Sequence, residues 1–202
     1  IALESEDTQQ ITSAIKAVIS DCILSKDVKI ELLPTFDIEY LFLNIRGKSV
    51  GEVVEVNIVC PDDGETEVKV SISLDDIQVV RDEEHTKTVK LDETYFMDMR
   101  YPSLDQFIRN NFEFENPDMD QSFELIGSCI DKIYDNEEVW STDDVTPQEV
   151  KDFLEQLNST QFKEIEKFFS TMPKLSHTID VKNPKTKKKS KVTLEGLSSF
   201  FA

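Results

Sequence analysis

Between Gly51 and Leu74 the apolar residues recur at every second position, whereas on both sides of that stretch they recur three and four apart. Val54, Val56, Ile58 and Cys60 alternate with polar or small residues, and Val68, Val70, Ile72 and Leu74 do so again. A period of two lines one face of a strand, and Pro61-Asp62-Asp63-Gly64 between the runs carries the Asp-Gly signal of a hairpin. Weaker strands follow at Lys87 to Leu91 and Tyr95 to Tyr101, so 51–101 is expected to be a small antiparallel sheet. The flanking segments are helical, which makes the fold class α+β: a mostly helical chain with this sheet and a C-terminal hairpin.

On the amino-terminal side, Ile11, Ala14, Ile15, Val18, Ile19 and Cys22 share one helix face, with Ser5, Asp7 or Thr8 to cap it. A second helix starts at Pro34-Thr35, with Thr35 as cap, and carries Phe36, Tyr40, Leu41, Leu43 and Ile45. It is expected to stop at Gly47 and to be buried, because it is apolar on nearly all sides. Beyond Pro102, Ser103 caps a helix with Leu104, Phe107, Ile108 and Phe112. Residues 119–134 give another through Phe123, Ile126, Cys129, Ile130 and Ile133. Thr146-Pro147-Gln148-Glu149 combines an N-cap, a first-turn Pro and a capping Glu ahead of Val150, Phe153, Leu154 and Leu157. Thr160 caps a helix with Phe162, Ile165, Phe168, Phe169 and Met172. The tail, His177 to Asn183 and Lys191 to Leu194, is a hairpin around a lysine-rich turn, followed by a short end with Leu197, Phe200 and Phe201. We expect one domain over 1–202: helical to 50, β over 51–101, helical over 102–173, hairpin and terminal helix over 174–202. No repeat is visible, and no apolar run is long enough for a transmembrane helix. The chain opens on Ile1, and further sequence upstream, with any targeting signal, is expected.

The 202 residues include 22 basic and 41 acidic side chains, a net charge of −19. Such a surface repels nucleic acid and anionic membrane, and suits a solvated protein that meets basic or neutral protein surfaces. Cys22, Cys60 and Cys129 are an odd, widely spaced set. They fit a reducing compartment rather than a disulfide framework, with Cys22 and Cys129 as small core residues.

Motifs for catalysis are scarce. His85 and His177 lie in polar connections as exposed loop residues, without a nucleophile motif, and glycine is too sparse for a phosphate loop. Asp118, Asp120 and Ser122 have early EF-hand spacing, but Phe123 replaces the turn glycine and Cys129 the bidentate acid, so both acids are assigned to a helix N-terminus. Among 41 acids no local motif selects a catalytic pair. Cys60-Pro61-Asp62-Asp63-Gly64 resembles a zinc knuckle, but it has one thiol where a closed site needs four ligands from Cys or His. We assign no catalytic, cofactor or metal residues. Lys182, Lys185, Lys187, Lys188, Lys189 and Lys191 are the remaining anomaly. They form a basic turn without aromatics, so a solvated loop over the protein's own acids is favoured over a nucleic-acid groove.

Several segments together resemble the T4-like phage baseplate hub family. They are Ile1 to Ser5, Phe36-Asp37-Ile38-Glu39-Tyr40-Leu41-Phe42-Leu43, Arg46-Gly47-Lys48-Ser49-Val50-Gly51-Glu52, Met99-Arg100-Tyr101-Pro102, Phe168 to His177, and Leu194 to Phe201. The resemblance implies a non-enzymatic hub subunit or a chaperone-like assembly factor of a contractile tail. Its partners would be other tail and hub proteins, without nucleic acid, membrane, cofactor or small-molecule substrate. It would act in the infected host's cytoplasm or in the virion baseplate. Family members often carry Cys-Pro-x-Cys-Gly, from which Asp63 departs. The alternatives are a hydrolase with dispersed carboxylates and a nucleic-acid-binding regulator that uses the lysine turn. For a hub protein, the expected contact residues are Phe162, Phe168, Phe169, Phe200 and Phe201 as anchors, with Lys187, Lys188 and Lys189 as a charged rim. Phe200 and Phe201 changed to Ser are then expected to weaken association and leave the monomer folded.

Overall fold

The computed structural model describes residues 8–25, 27–103, 106 and 119–200. The fold is α+β. Described residues pack into two compact units that interleave along the chain: 8–14, 31–35 and 81–172 in one, and 15–30, 36–80 and 173–200 in the other.

The second unit contains the clearest sequence signals. Strands β1 (Val53–Val59) and β2 (Glu67–Ser73) pair antiparallel with Val56 opposite Val70, and β1 buries every second residue. A separate sheet runs β3 (Gln78–Val80), β8 (Lys174–Lys182), β9 (Lys189–Glu195), with Ile179 opposite Val192. Their apolar faces enclose Leu43, Val56, Ile72, Ile77, Leu175 and Phe200, all nearly inaccessible. Such burial is the main stabilising contribution, at about 25 cal/mol per Å² of apolar surface. Helix α1 (Thr8–Cys22) buries Ile15 and Ile19, but Val18 and Cys22 are exposed. Cys22 is therefore not the core residue its spacing implied.

Helix α2 (Thr35–Val50) continues through Gly47 rather than ending there. Gly47 is instead a point of close approach, where a Cβ would lie 3.3 Å from Leu74 Cδ1. The helix is only partly buried: Phe36, Ile38 and Leu43 are inside, whereas Leu41 and Ile45 are half-exposed and Asn44, Lys48 and Val50 exposed. Thr35 does not cap it through its hydroxyl, which donates to the carbonyls of Pro102 (3.2 Å) and Ser103 (3.4 Å).

In the first unit, β4 (Thr88–Lys90), β5 (Phe96–Met99), β6 (Ile130–Tyr134) and β7 (Val139–Ser141) form one antiparallel sheet in that order. The strands of 51–101 thus belong to three sheets instead of one. Residues 119–134 also divide: α3 (Met119–Cys129) stops where β6 begins. Ile130 and Ile133 keep helical spacing with Phe123 and Ile126, but β6 is gripped on both sides by β5 and β7. Tertiary pairing overrides local periodicity there. Helix α4 (Pro147–Glu155) starts with the expected capping box between Thr146 and Glu149. Helix α5 (Ser159–Thr171) is capped by Asn158 with Gln161, two residues earlier than the expected cap Thr160. Both helices cover the sheet through Leu154, Ile165 and Phe168. Of the helix expected at Leu104 to Phe112 only Gln106 is described, and the rest lies outside the described residues. The Gln106 N–H reaches Ser103 Oγ at 3.4 Å and its Oε1 accepts from Ser103 N at 2.7 Å, as the expected cap requires.

Candidate functional site

The expected contact residues separate on inspection. Phe168 is 2% exposed and Phe200 0% exposed, so both are core side chains of their units. Phe162 and Phe169 are half-buried, Phe162 against Phe123 and Phe169 edge-on to Phe168. Phe201 lies outside the described residues. Lys187, Lys188 and Lys189 are exposed on the β8–β9 turn.

That turn is built from Asn183, which is 1% exposed. Its Oδ1 accepts the backbone N–H groups of Lys185 (2.8 Å) and Thr186 (3.2 Å), closing the loop as Asn does in an Asx turn. Its Nδ2 donates to Asp62 Oδ1 at 3.0 Å and Asp63 Oδ2 at 2.8 Å, on the β1–β2 turn. Thr186 adds a very short hydroxyl bond to the other Asp62 oxygen. Asp63 Oδ1 also accepts from Glu65 N (3.1 Å) and Thr66 N (3.0 Å), and its Oδ2 from Thr66 Oγ1 at 2.6 Å. Donors converging on an ionised carboxylate stabilise the charge. Asp63 is accordingly held well below the usual carboxylate range, chiefly by Thr66, and Asp62 is lowered, chiefly by Thr186 and Asn183. Two hairpin turns far apart in sequence are fastened by charge-assisted bonds, and the lysines ride on that fastening. Lys187 sits in the left-handed region at φ 66° and donates its ammonium to Pro184 O at 2.6 Å.

The same bonds bear on the zinc-knuckle pattern. Where a zinc knuckle would place its second thiolate, Asp63 is committed to Glu65, Thr66 and Asn183. Cys60 is 1% exposed, and burial pushes its thiol up, with the Asp62 and Asp63 charges adding to the rise. A neutral buried thiol beside a saturated carboxylate does not fit zinc. No group of three or more His, Cys, Asp or Glu side chains placed to hold a metal occurs among the described residues. The purified protein is expected to carry no stoichiometric zinc and to melt at the same temperature with or without chelator. Zinc released by chelator together with loss of fold would contradict this.

Charge is unevenly distributed. Among described residues the first unit carries 8 basic and 20 acidic side chains, and the second 12 and 14. None of the six turn lysines forms an ion pair with a described acid; the turn meets the chain's own carboxylates Asp62 and Asp63 through Asn183 and Thr186 instead.

Other titratable groups serve the fold. The histidines are half-buried rather than exposed. His85 bonds Thr171 Oγ1 and Tyr101 OH, both at 2.9 Å, and packs against the Tyr101 and Phe168 rings. Thr171 gives its own proton to Lys167 O, so His85 carries hydrogen on Nδ1 and accepts from Tyr101 at Nε2. Burial pushes His85 below its ordinary value. His177 donates from Nδ1 to Asp76 O at 3.1 Å. Glu39 is raised by burial and accepts from Leu197 N at 2.9 Å, which tempers the rise. Cys129 is buried, and its thiol is pushed up to about 11. Asp120 stands in the first turn of α3 and pairs with Lys151 at 2.8 Å; Asp118 lies outside the described residues.

Sequence reasoning missed the Asn183 clamp. Asn183-Pro184 is a legible turn signal, but its partners lie 120 and 121 positions away. No helix among the described residues is long and apolar enough to cross a membrane. Neither the curated proteins nor the solved structures yield a match to the chain. The family model described as T4 bacteriophage base plate protein matches residues 1–202. The chain therefore belongs to the T4 bacteriophage base plate protein family, a structural family of the phage tail.

Proposed function

We propose that this chain is a non-enzymatic structural or chaperone-like protein that helps assemble the central baseplate hub of a contractile-tailed phage through contacts with other hub proteins. Family membership over the full length carries the reading. Support comes from the lysine turn, which is exposed, preorganised and unpaired with the chain's described acids. A rigid cationic loop loses little conformational freedom on docking and attracts an acidic partner at long range. The contact residues are Lys187, Lys188 and Lys189 in the second unit and, as a separate set, the half-buried Phe162 and Phe169 in the first. Because each unit is assembled from several separated segments, we treat the chain as one α+β domain. It works in the host cytoplasm during assembly or remains in the baseplate.

Co-purification of the tagged full chain from infected cells tests this. Tail hub proteins are expected to accompany it. Reversing Lys187, Lys188 and Lys189 to Glu is expected to slow association by about tenfold at low salt, and by less at high salt. Recovery of the chain with nucleic acid instead of hub proteins, or undisturbed hub assembly by the triple variant, would reject the reading.

A further inference from the structure

The first unit holds an open groove of about 400 Å³ whose floor and walls include Leu91, Ile133, Val150 and Phe153. At its mouth Tyr95 and Trp140, each 40% exposed, lie with ring centroids 6.1 Å apart, and Val145 is 37% exposed. Trp140 is the chain's single tryptophan. Exposed aromatic anchors over an apolar cleft are what interface centres are made of.

The rim is acidic. Asp92 and Glu149 line the groove, none of the lining residues is basic, and the exposed Glu137, Glu138, Asp143 and Asp144 bracket Trp140 and Val145 in the chain. Of these acids Asp143 is ion-paired, with Arg100 at 3.7 Å. Asp92 accepts the N–H groups of Thr94 and Tyr95, and Glu149 those of the Thr146 backbone and hydroxyl. Those bonds lower both carboxyls. One oxygen of each, Asp92 Oδ1 and Glu149 Oε2, is held by a turn, which fixes the two charges at the mouth.

We infer that this groove is a docking site for a basic amphipathic segment of a partner protein, one apolar stripe flanked by Lys or Arg. The stripe enters between Tyr95, Trp140 and Val145, and the flanking cations meet the acidic rim. This goes beyond the hub reading, because it follows from the chemistry of the groove and from no particular partner.

The probe is a short amphipathic peptide of Leu and Lys, with the same pattern in Leu and Glu as its counterpart. Trp140 fluorescence of the full chain is the readout. Saturable blue-shifting by the Leu/Lys peptide is expected, with the Leu/Glu peptide at least about tenfold weaker. The double variant Tyr95→Ala, Val145→Ser keeps every charge and the reporter, and it is expected to bind about tenfold more weakly. Should that variant fold poorly, Glu137→Lys, Glu138→Lys, Asp144→Lys changes only exposed positions and is expected to weaken binding mainly at low salt. No spectral shift, equal binding of both peptides, or undiminished binding by the folded double variant would overturn the proposal. A shift on concentrating the protein alone, with doubled mass in light scattering, would overturn it in favour of a second copy. Hub assembly that proceeds without tail-protein capture leaves the peptide result standing, so the two readings fail separately.

Discussion

Phe200→Ser is expected to unfold the second unit rather than to loosen a partner. The ring is completely inaccessible among Leu43, Ile77, Leu175 and the inner faces of both hairpins. Emptying a fully buried Phe costs about 3–5 kcal/mol, and the serine hydroxyl adds an unpartnered polar group to the cavity. In a chain of this size that lowers the melting temperature by roughly 10 °C. The sequence placed Phe200 near the end of an amphipathic tail, where an interface anchor and a core plug have the same pattern. Thermal melting of the variant checks the distinction: an unchanged midpoint with lost partner binding would return Phe200 to the surface. Phe168→Ala is governed by the same argument in the other unit.

Asn183→Ala removes the fastening between the two hairpin turns. The lost bonds go to two carboxylates and two backbone amides. Hydrogen bonds to charged groups contribute about 1.5–3 kcal/mol each when buried, and partial exposure of Asp62 and Asp63 reduces this, so a net cost of about 2 kcal/mol is expected. Asn183→Asp is expected to be worse at neutral pH, because it sets a third carboxylate against Asp62 and Asp63. Both aspartates are lowered in the folded protein, so the clamp's stabilisation is fully present above the unfolded value, about 3.9, and is lost as pH falls through the folded values. The gap between the native protein and either variant therefore narrows below pH about 4. Denaturant titrations at neutral and acid pH decide this; a gap that stays unchanged on acidification would mean that Asn183 works through packing and its backbone bonds alone. The clamp also orders the lysine turn, so both variants are expected to slow partner association beyond their effect on stability.

The candidate sites show where sequence reading reached its limit. The lysine turn was visible because charge is a local property of the chain. Its rigidity was not, because it depends on Asp62 and Asp63 reaching Asn183 across more than a hundred residues. The groove was invisible for a similar reason. Tyr95 and Val145 lie on short connections and Trp140 on the three-residue strand β7, each segment with too few apolar residues to show a period, and only the folded unit gathers them.

What the sequence determined by itself is what short-range physics dictates. The β1–β2 hairpin follows from alternation and its Asp-Gly turn, the start of α4 from the Thr146 capping box, the β8–β9 hairpin from two strands around a polar turn. Cooperative pairing and tertiary packing decided the rest. Residues 130–134 satisfy a helical period, yet they became β6 because two flanking strands together offer their backbones more than one further turn of helix could. Gly47 has the look of a helix stop, but it lies inside α2 because Leu74 packs where a side chain would be. The burial of Phe200 was settled in the same way: an apolar pattern says that a ring will leave water, and only the surrounding surfaces of the folded unit determine that its own core receives it.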